Sequence, residues 1–164
     1  MRAFLVVLTM LGLFGLASCS KFKSYDGPEV TRVLILKGER TMYLMHNDTA
    51  LASHKINLGY APVGHKEQYG DGKTPEGSYT INRKNPDSEF HLSLGISYPD
   101  DKDLSLAKEA GTDPGGDIFI HGGPVERRDR GKADWTAGCI AVTDREIEDI
   151  YAMVKVGTPI DILP

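Results

Sequence analysis

Short runs of β-branched and aliphatic residues, each closed by turn residues, are the first constraint on how this chain can fold. Val30 to Leu36 is one such run, Lys37-Gly38-Glu39-Arg40 reads as a turn, and Thr41 to Met45 resumes the pattern. The pair predicts a hairpin. Leu51 to Leu58 alternates loosely and stops at Gly59, so an antiparallel meander is the simplest arrangement for these three segments. No internal repeat or low-complexity tract follows Cys19, which excludes a solenoid. At 164 residues, with 40% apolar and 26% charged content, the chain fits one ordinary domain plus an appendage.

Later segments mix further strands with two short helices. Phe90 to Pro99 alternates, with Phe90, Leu92 and Leu94 on one side and His91 and Ser93 on the other. Asp103 to Ala110 has helix-forming composition, with Asp100 and Asp101 at its start and Gly111 placed to cap its end. Ile118-Phe119-Ile120-His121 reads as a short apolar strand. Thr143-Asp144-Arg145-Glu146 is a capping-box pattern, and Ile147, Ile150, Tyr151 and Val154 follow at the spacing of a buried helical stripe. That helix is expected to reach about Lys155. Gly157 then stops it, and Pro159 to Leu163 offers a last strand. Between Tyr69 and Ile81, three glycines and a proline predict either a hairpin connection or a loop held in one shape.

The appendage is the amino terminus. Met1-Arg2 precedes an almost unbroken apolar run from Ala3 to Ala17, too short for a permanent membrane span and typical of a signal-peptide core. The run ends in Leu16-Ala17-Ser18-Cys19, which resembles the lipobox of bacterial lipoproteins. The resemblance implies that residues 1–18 are removed and that Cys19 becomes the acylated first residue. An ordinary signal peptide cut at Ala-Ser, with Cys19 a bystander, is the alternative. Residues 19–29 are polar and turn-rich, as a lipidated tether would be, and residues 30–164 form the folded domain. A serine after the acylated cysteine usually accompanies outer-membrane sorting in such lipoproteins, so Ser20 implies a periplasmic domain anchored at that membrane. A formal net charge of −4 argues against nucleic acid as a partner and leaves membrane attachment to the acyl chains.

The stretch from Asp117 to Val142 carries the chemistry. The chain has two cysteines, and acylation of Cys19 leaves Cys139 without a partner in an oxidising compartment. Such a thiol is intermolecular, reactive or buried. A thiol attacks as thiolate, and a histidine forming an ion pair with it would lower its pKa, a role open to His121. Gly138 leaves room for the backbone N–H groups of Gly138 and Cys139 to approach an oxyanion. Together these residues outline an acyl-transfer site. Taken singly, Cys139 fits a buried structural thiol and His121 a satisfied core histidine equally well.

His121, an intervening stretch of 14 residues, and Thr136-Ala137-Gly138-Cys139-Ile140 resemble the signature of bacterial L,D-transpeptidase catalytic domains. The resemblance extends to Gly70 through Gly77, to Phe90 through Pro99 and to Gly116 through Gly122, and so covers most of the domain. It implies a mostly β, sandwich-like single domain with short helices, a Cys139 nucleophile, a His121 base and a Gly122 backbone carbonyl orienting the imidazole. The implied substrate is the tetrapeptide stem of peptidoglycan, with a thioester formed on Cys139 and D-alanine expelled. An amine of another stem then gives a cross-link, a lysine of a partner lipoprotein gives attachment, and water gives cleavage. No cofactor and no metal are implied.

Two positions depart from the family pattern: Ala137 stands where His commonly precedes Gly-Cys, and Ala141 where Arg or Asn commonly follows. These departures bring the chain nearer the Ala-Gly-Cys branch, which includes an enzyme that detaches lipoprotein from peptidoglycan. Hydrolysis of the same linkage, as an L,D-carboxypeptidase or amidase, is therefore the alternative. Arg127 and Arg128, in the loop from Pro124 to Asp134, fit a grip on substrate carboxylates or a solvated loop. His91 and Tyr98 are further pocket candidates that could equally be structural. A metallopeptidase is disfavoured, because no His-Glu-x-x-His motif or paired-cysteine spacing occurs. NlpC-type peptidases place Cys before His, and sortases want a downstream arginine. A non-catalytic wall-binding lipoprotein remains the competing class.

Overall fold

The computed structural model describes residues 20–164, so the signal segment and Cys19 lie outside the described residues. Eight strands and two helices follow: β1 (Arg32–Leu36), β2 (Thr41–His46), β3 (Thr49–Lys55), β4 (Gly77–Asn85), β5 (Ser93–Ile96), α1 (Asp101–Ala110), β6 (Phe119–His121), β7 (Ile140–Ala141), α2 (Asp144–Met153) and β8 (Pro159–Leu163). All strands join one sheet in the order β3-β2-β1-β8-β4-β5-β6-β7. The fold is therefore a mostly β single domain, with one curled sheet in place of two stacked layers.

The predicted meander is present, with β1 antiparallel to β2 and β2 to β3. The last strand, β8, then inserts between β1 and β4, parallel to the first and antiparallel to the second. Beyond β3 the chain curls round to meet the far end of the sheet. The Asn57 and Ala141 backbones exchange two hydrogen bonds of 2.8 Å, and Tyr60 N–H donates to Thr136 O at 2.9 Å. The two ends of the strand order therefore meet beside the cysteine.

Both helices follow their caps. At α1, Asp100 and Asp103 form a reciprocal box and Gly111 ends the helix in the left-handed region at φ +67°. At α2, Thr143 and Glu146 form the same box, and the helix ends at Met153, two residues short of the expected end, because Val154 turns extended. Ile147, Ile150 and Val154 are fully buried against the sheet. Each such burial contributes roughly 1.5–3 kcal/mol. Among the described residues, no helix is long and apolar enough to cross a membrane.

The polar stretch expected as a free tether lies along α2. Lys23 pairs with Asp149 at 2.8 Å and Glu148 at 3.3 Å, Lys21 donates to Pro86 O at 2.5 Å, and Phe22 stacks obliquely on Tyr151. Complementary charges on α2 give this polar segment a surface to lie on.

Candidate active site

Cys139 sits at the end of a turn that three other segments hold in place. The Thr136 hydroxyl donates to Cys139 O at 2.7 Å and accepts from Gly138 N–H at 3.1 Å, closing the turn upon itself. Gly138 has φ +136°, and a Cβ there would lie 2.8 Å from Lys73 O, so only glycine fits. Gly59 is equally constrained, since a Cβ would meet Gly72 O at 2.0 Å and Gly138 Cα at 3.0 Å. Backbone thus rests on backbone at three levels.

The glycine-rich loop between Tyr69 and Gly77 is this buttress, which resolves its two sequence readings in favour of a fixed loop. Gly59 N–H donates to Thr74 Oγ1, and Ala61 N–H to Gly72 O. Asp71 fixes the loop's shape by accepting from Lys66 Nζ and from the N–H groups of Glu67, Gln68 and Lys73. Burial alone would raise the Asp71 carboxyl, but these donors outweigh it and hold it at about 2.

His121 comes from β6, the strand neighbouring β7, and is 3% exposed. Its Nδ1 meets Gly122 O at 2.6 Å, so Nδ1 carries the proton and Nε2 is the basic nitrogen. Phe90 lies against one face with ring centroids 4.3 Å apart, and Trp135 meets the ring edge-on at 5.6 Å. Burial pushes the imidazole below its ordinary value, partly countered by the Gly122 hydrogen bond.

Cys139 and His121 open on one pocket of about 290 Å³, lined also by Asn85, Ser88, Glu89, Phe90, Ser93, Asp117 and Phe119. The half-buried thiol donates to Asp117 O at 3.6 Å. Burial pushes the thiol above its ordinary range, the Phe119 N–H draws it back in part, and the Asp117 charge adds to the rise. Both shifts favour neutral partners at rest. Both shifts oppose the thiolate–imidazolium pair expected from sequence, because burial strips hydration from either charge.

Several expected site residues lie elsewhere. Gly138 N–H is committed to Thr136, so it is not a free oxyanion donor, and no partner for the Cys139 N–H is found among the described residues. His91 turns away at φ +72° and meets Glu148 at 2.8 Å, because β5 begins only at Ser93 and the predicted alternation fails before it. Tyr98 is buried, donates to Pro114 O at 3.0 Å and lines a separate cavity beside α1. Arg127 and Arg128 form a short 3-10 turn outside the pocket lining, where Arg128 pairs with Glu126 at 2.6 Å. Phe90, Trp135 and Thr136 were not singled out from sequence as site residues. Only the adjacency of Trp135 and Thr136 to the Gly-Cys pair could have flagged them.

A curled sheet that seats a thiol and a buried imidazole in one pocket defines a domain of the L,D-transpeptidase fold. The chain belongs to the YkuD family, the L,D-transpeptidase catalytic domain, which matches residues 30–162. It is 28% identical over 173 residues to YafK of Escherichia coli (strain K12), covering 94% of this chain and 64% of that protein. The structure resembles the helical cell shape determining protein Pgp2 from Campylobacter jejuni at 26% identity, with a TM-score of 0.63 over 84% of this chain and 49% of Pgp2. An L,D-transpeptidase from Mycobacterium smegmatis shares the fold at 17% identity, with a TM-score of 0.56 over 82% of this chain and 59% of its own. The chain thus spans less than two thirds of each of these relatives.

Proposed function

We propose that this protein is a peptidoglycan L,D-transpeptidase acting on tetrapeptide stems through a Cys139 thioester. The observation that carries the reading is the shared pocket of Cys139 and His121, with His121 Nδ1 tied to Gly122 O at 2.6 Å so that Nε2 is left to move protons. His121 Nε2 takes the thiol proton as sulfur bonds to the carbonyl carbon of the residue before the terminal D-alanine. The Cys139 N–H faces the developing oxyanion. Collapse breaks the C–N bond, and the departing D-alanine amine takes the proton from His121. An acceptor amine then attacks the thioester and gives its proton to Nε2, and the C–S bond breaks as Nε2 returns that proton to the Cys139 sulfur. Burial disfavours the charged pair before substrate arrives, so the thiolate forms as attack begins.

Of the two carboxylates in the pocket lining, Asp117 is paired with Arg83 at 2.7 Å, which leaves Glu89 to face an incoming amine. The likeness to Pgp2, whose name refers to cell shape, supports a role in shaping the cell wall. The proposed setting is the periplasmic face of the outer membrane, with Cys19 lipidated. Replacing Cys19 with Ala should release the protein from membrane fractions.

The test is incubation with purified muropeptides, following products by mass for wild type and Cys139→Ala. Loss of D-alanine with dimer formation identifies transfer. Stem shortening alone would assign water as the acceptor, and identical wild-type and variant traces would leave a non-catalytic wall-binding lipoprotein.

A further inference from the structure

The peptide unit between Gly122 and Gly123 makes hydrogen bonds on two sides. Its carbonyl oxygen, on Gly122, accepts from His121 Nδ1 at 2.6 Å, and its N–H, on Gly123, donates to Asp144 Oδ1 at 2.8 Å. We propose that Asp144 is a positioning residue for His121, acting through this one peptide group as a carboxylate, amide and imidazole in series. The proposal rests on the reading of His121 as the base for Cys139.

Hydrogen bonding of an amide N–H to a carboxylate draws electron density toward the amide oxygen and makes that oxygen a stronger acceptor. The stronger acceptor holds the imidazole ring and its tautomer, and it stabilises the imidazolium formed when the thiol proton arrives. The surroundings fix the peptide in the required plane. Gly122 N–H donates to Phe90 O at 3.1 Å, and Gly123 adopts φ +111°. A Cβ at Gly122 would meet Asp144 Oδ1 at 2.5 Å and Phe90 O at 2.8 Å, so the close approach of the carboxylate requires glycine there.

Asp144 is aimed by α2, of which it is the first residue, and α2 is anchored by buried Ile147 and Ile150. The capping box of Thr143 and Glu146 closes the helix start without Asp144, so its bond to Gly123 is separate from capping. The Asp144 carboxylate also faces the positive end of the α2 dipole. Its side chain is exposed, so the charge keeps its hydration. The other titratable groups facing His121 are Cys139 and, across the pocket, Glu89 and Asp117, while Phe90 and Trp135 against the ring carry no charge.

The test compares wild type, Asp144→Asn and Asp144→Ala in the folded domain by three readouts. These are the NMR titration of His121 with its Nδ1–H resonance, thermal unfolding, and kcat and KM on stem peptides. In Asp144→Ala, His121 should titrate at lower pH and its Nδ1–H resonance should move upfield. The same variant should lose about tenfold in kcat at unchanged KM, as expected for a misplaced base. Asp144→Asn keeps an acceptor without the charge and should fall between, and it carries the test if the Ala variant does not fold. A wild-type Nδ1–H resonance and kcat in the folded variants would overturn the proposal, even with a lower unfolding temperature. The resonances are read without substrate. Failure of wild type to process muropeptides would therefore strike the transpeptidase reading alone.

Discussion

Two neighbouring stretches, the turn from Thr136 to Cys139 and the loop from Pro124 to Asp134, are built on opposite principles. The turn is held by its own threonine hydroxyl, by the 57–60 segment and by the glycine loop, with backbone against backbone. The loop carries most of its charge into solvent and is tied at its end, where Asp134 takes three hydrogen bonds from Arg40, at 2.9, 3.1 and 2.7 Å, and one from Leu58 N–H. Rigidity is concentrated around the Cys139 thiol, and the charged loop beside it is tied down at its end.

Breaking the turn should give the largest effects. Gly138→Ala forces a side chain into the space of Lys73 O at a positive φ. About 1–3 kcal/mol of backbone strain should lower the unfolding temperature, and acylation by a carbapenem, followed by mass, should fall at least about a hundredfold. Thr136→Val should come next. It leaves the buried Gly138 N–H without an acceptor, a cost of about 1–3 kcal/mol in denaturant unfolding. Asp71→Asn probes the same support through pH. The native carboxyl is lowered from 3.8 to about 2, so its contribution is complete above pH 3.8 and is lost as pH falls toward 2. Wild type should therefore lose stability over that window, while the variant shows a flatter acid limb.

The remaining tests sharpen the contrast with smaller changes. Alkylation of Cys139 by iodoacetamide should keep rising above the ordinary thiol value of 9.0 with no plateau at acid pH, since burial raises the thiol and lowers His121. A plateau near neutrality would restore the resting ion pair. Arg127→Ala with Arg128→Ala should move stability by less than about 0.5 kcal/mol and leave thiol labelling unchanged. If the loop grips stem carboxylates, KM alone rises, and an unchanged KM would reduce the loop to a solvated crossing.

Much of the site was legible because it is local. The motif from His121 to Ile140 names the thiol and the imidazole, Gly138 declares a constrained turn, and both capping boxes mark where helices begin. His91 and Tyr98 sit on a segment with family resemblance yet lie outside the pocket, because both fall beyond the ends of β5, one before Ser93 and the other after Ile96. The glycine loop read as either a hairpin connection or a fixed shape, and the choice lay with its partners, Gly59 and Gly138, which are distant in sequence.

What the sequence determined by itself were the features written within a few residues: caps, turns, strand patterns and the spacing of two reactive groups. Tertiary structure alone decided that β8 would lie between β1 and β4, and that the chain after β3 would close on β7. It also decided that Asp144 would stand behind the His121 peptide and that burial would oppose charge on both the thiol and the imidazole. The division follows from range. Backbone preferences and hydrogen bonds between near neighbours act on adjacent residues, whereas desolvation and sheet closure depend on everything that surrounds a group once the chain has folded.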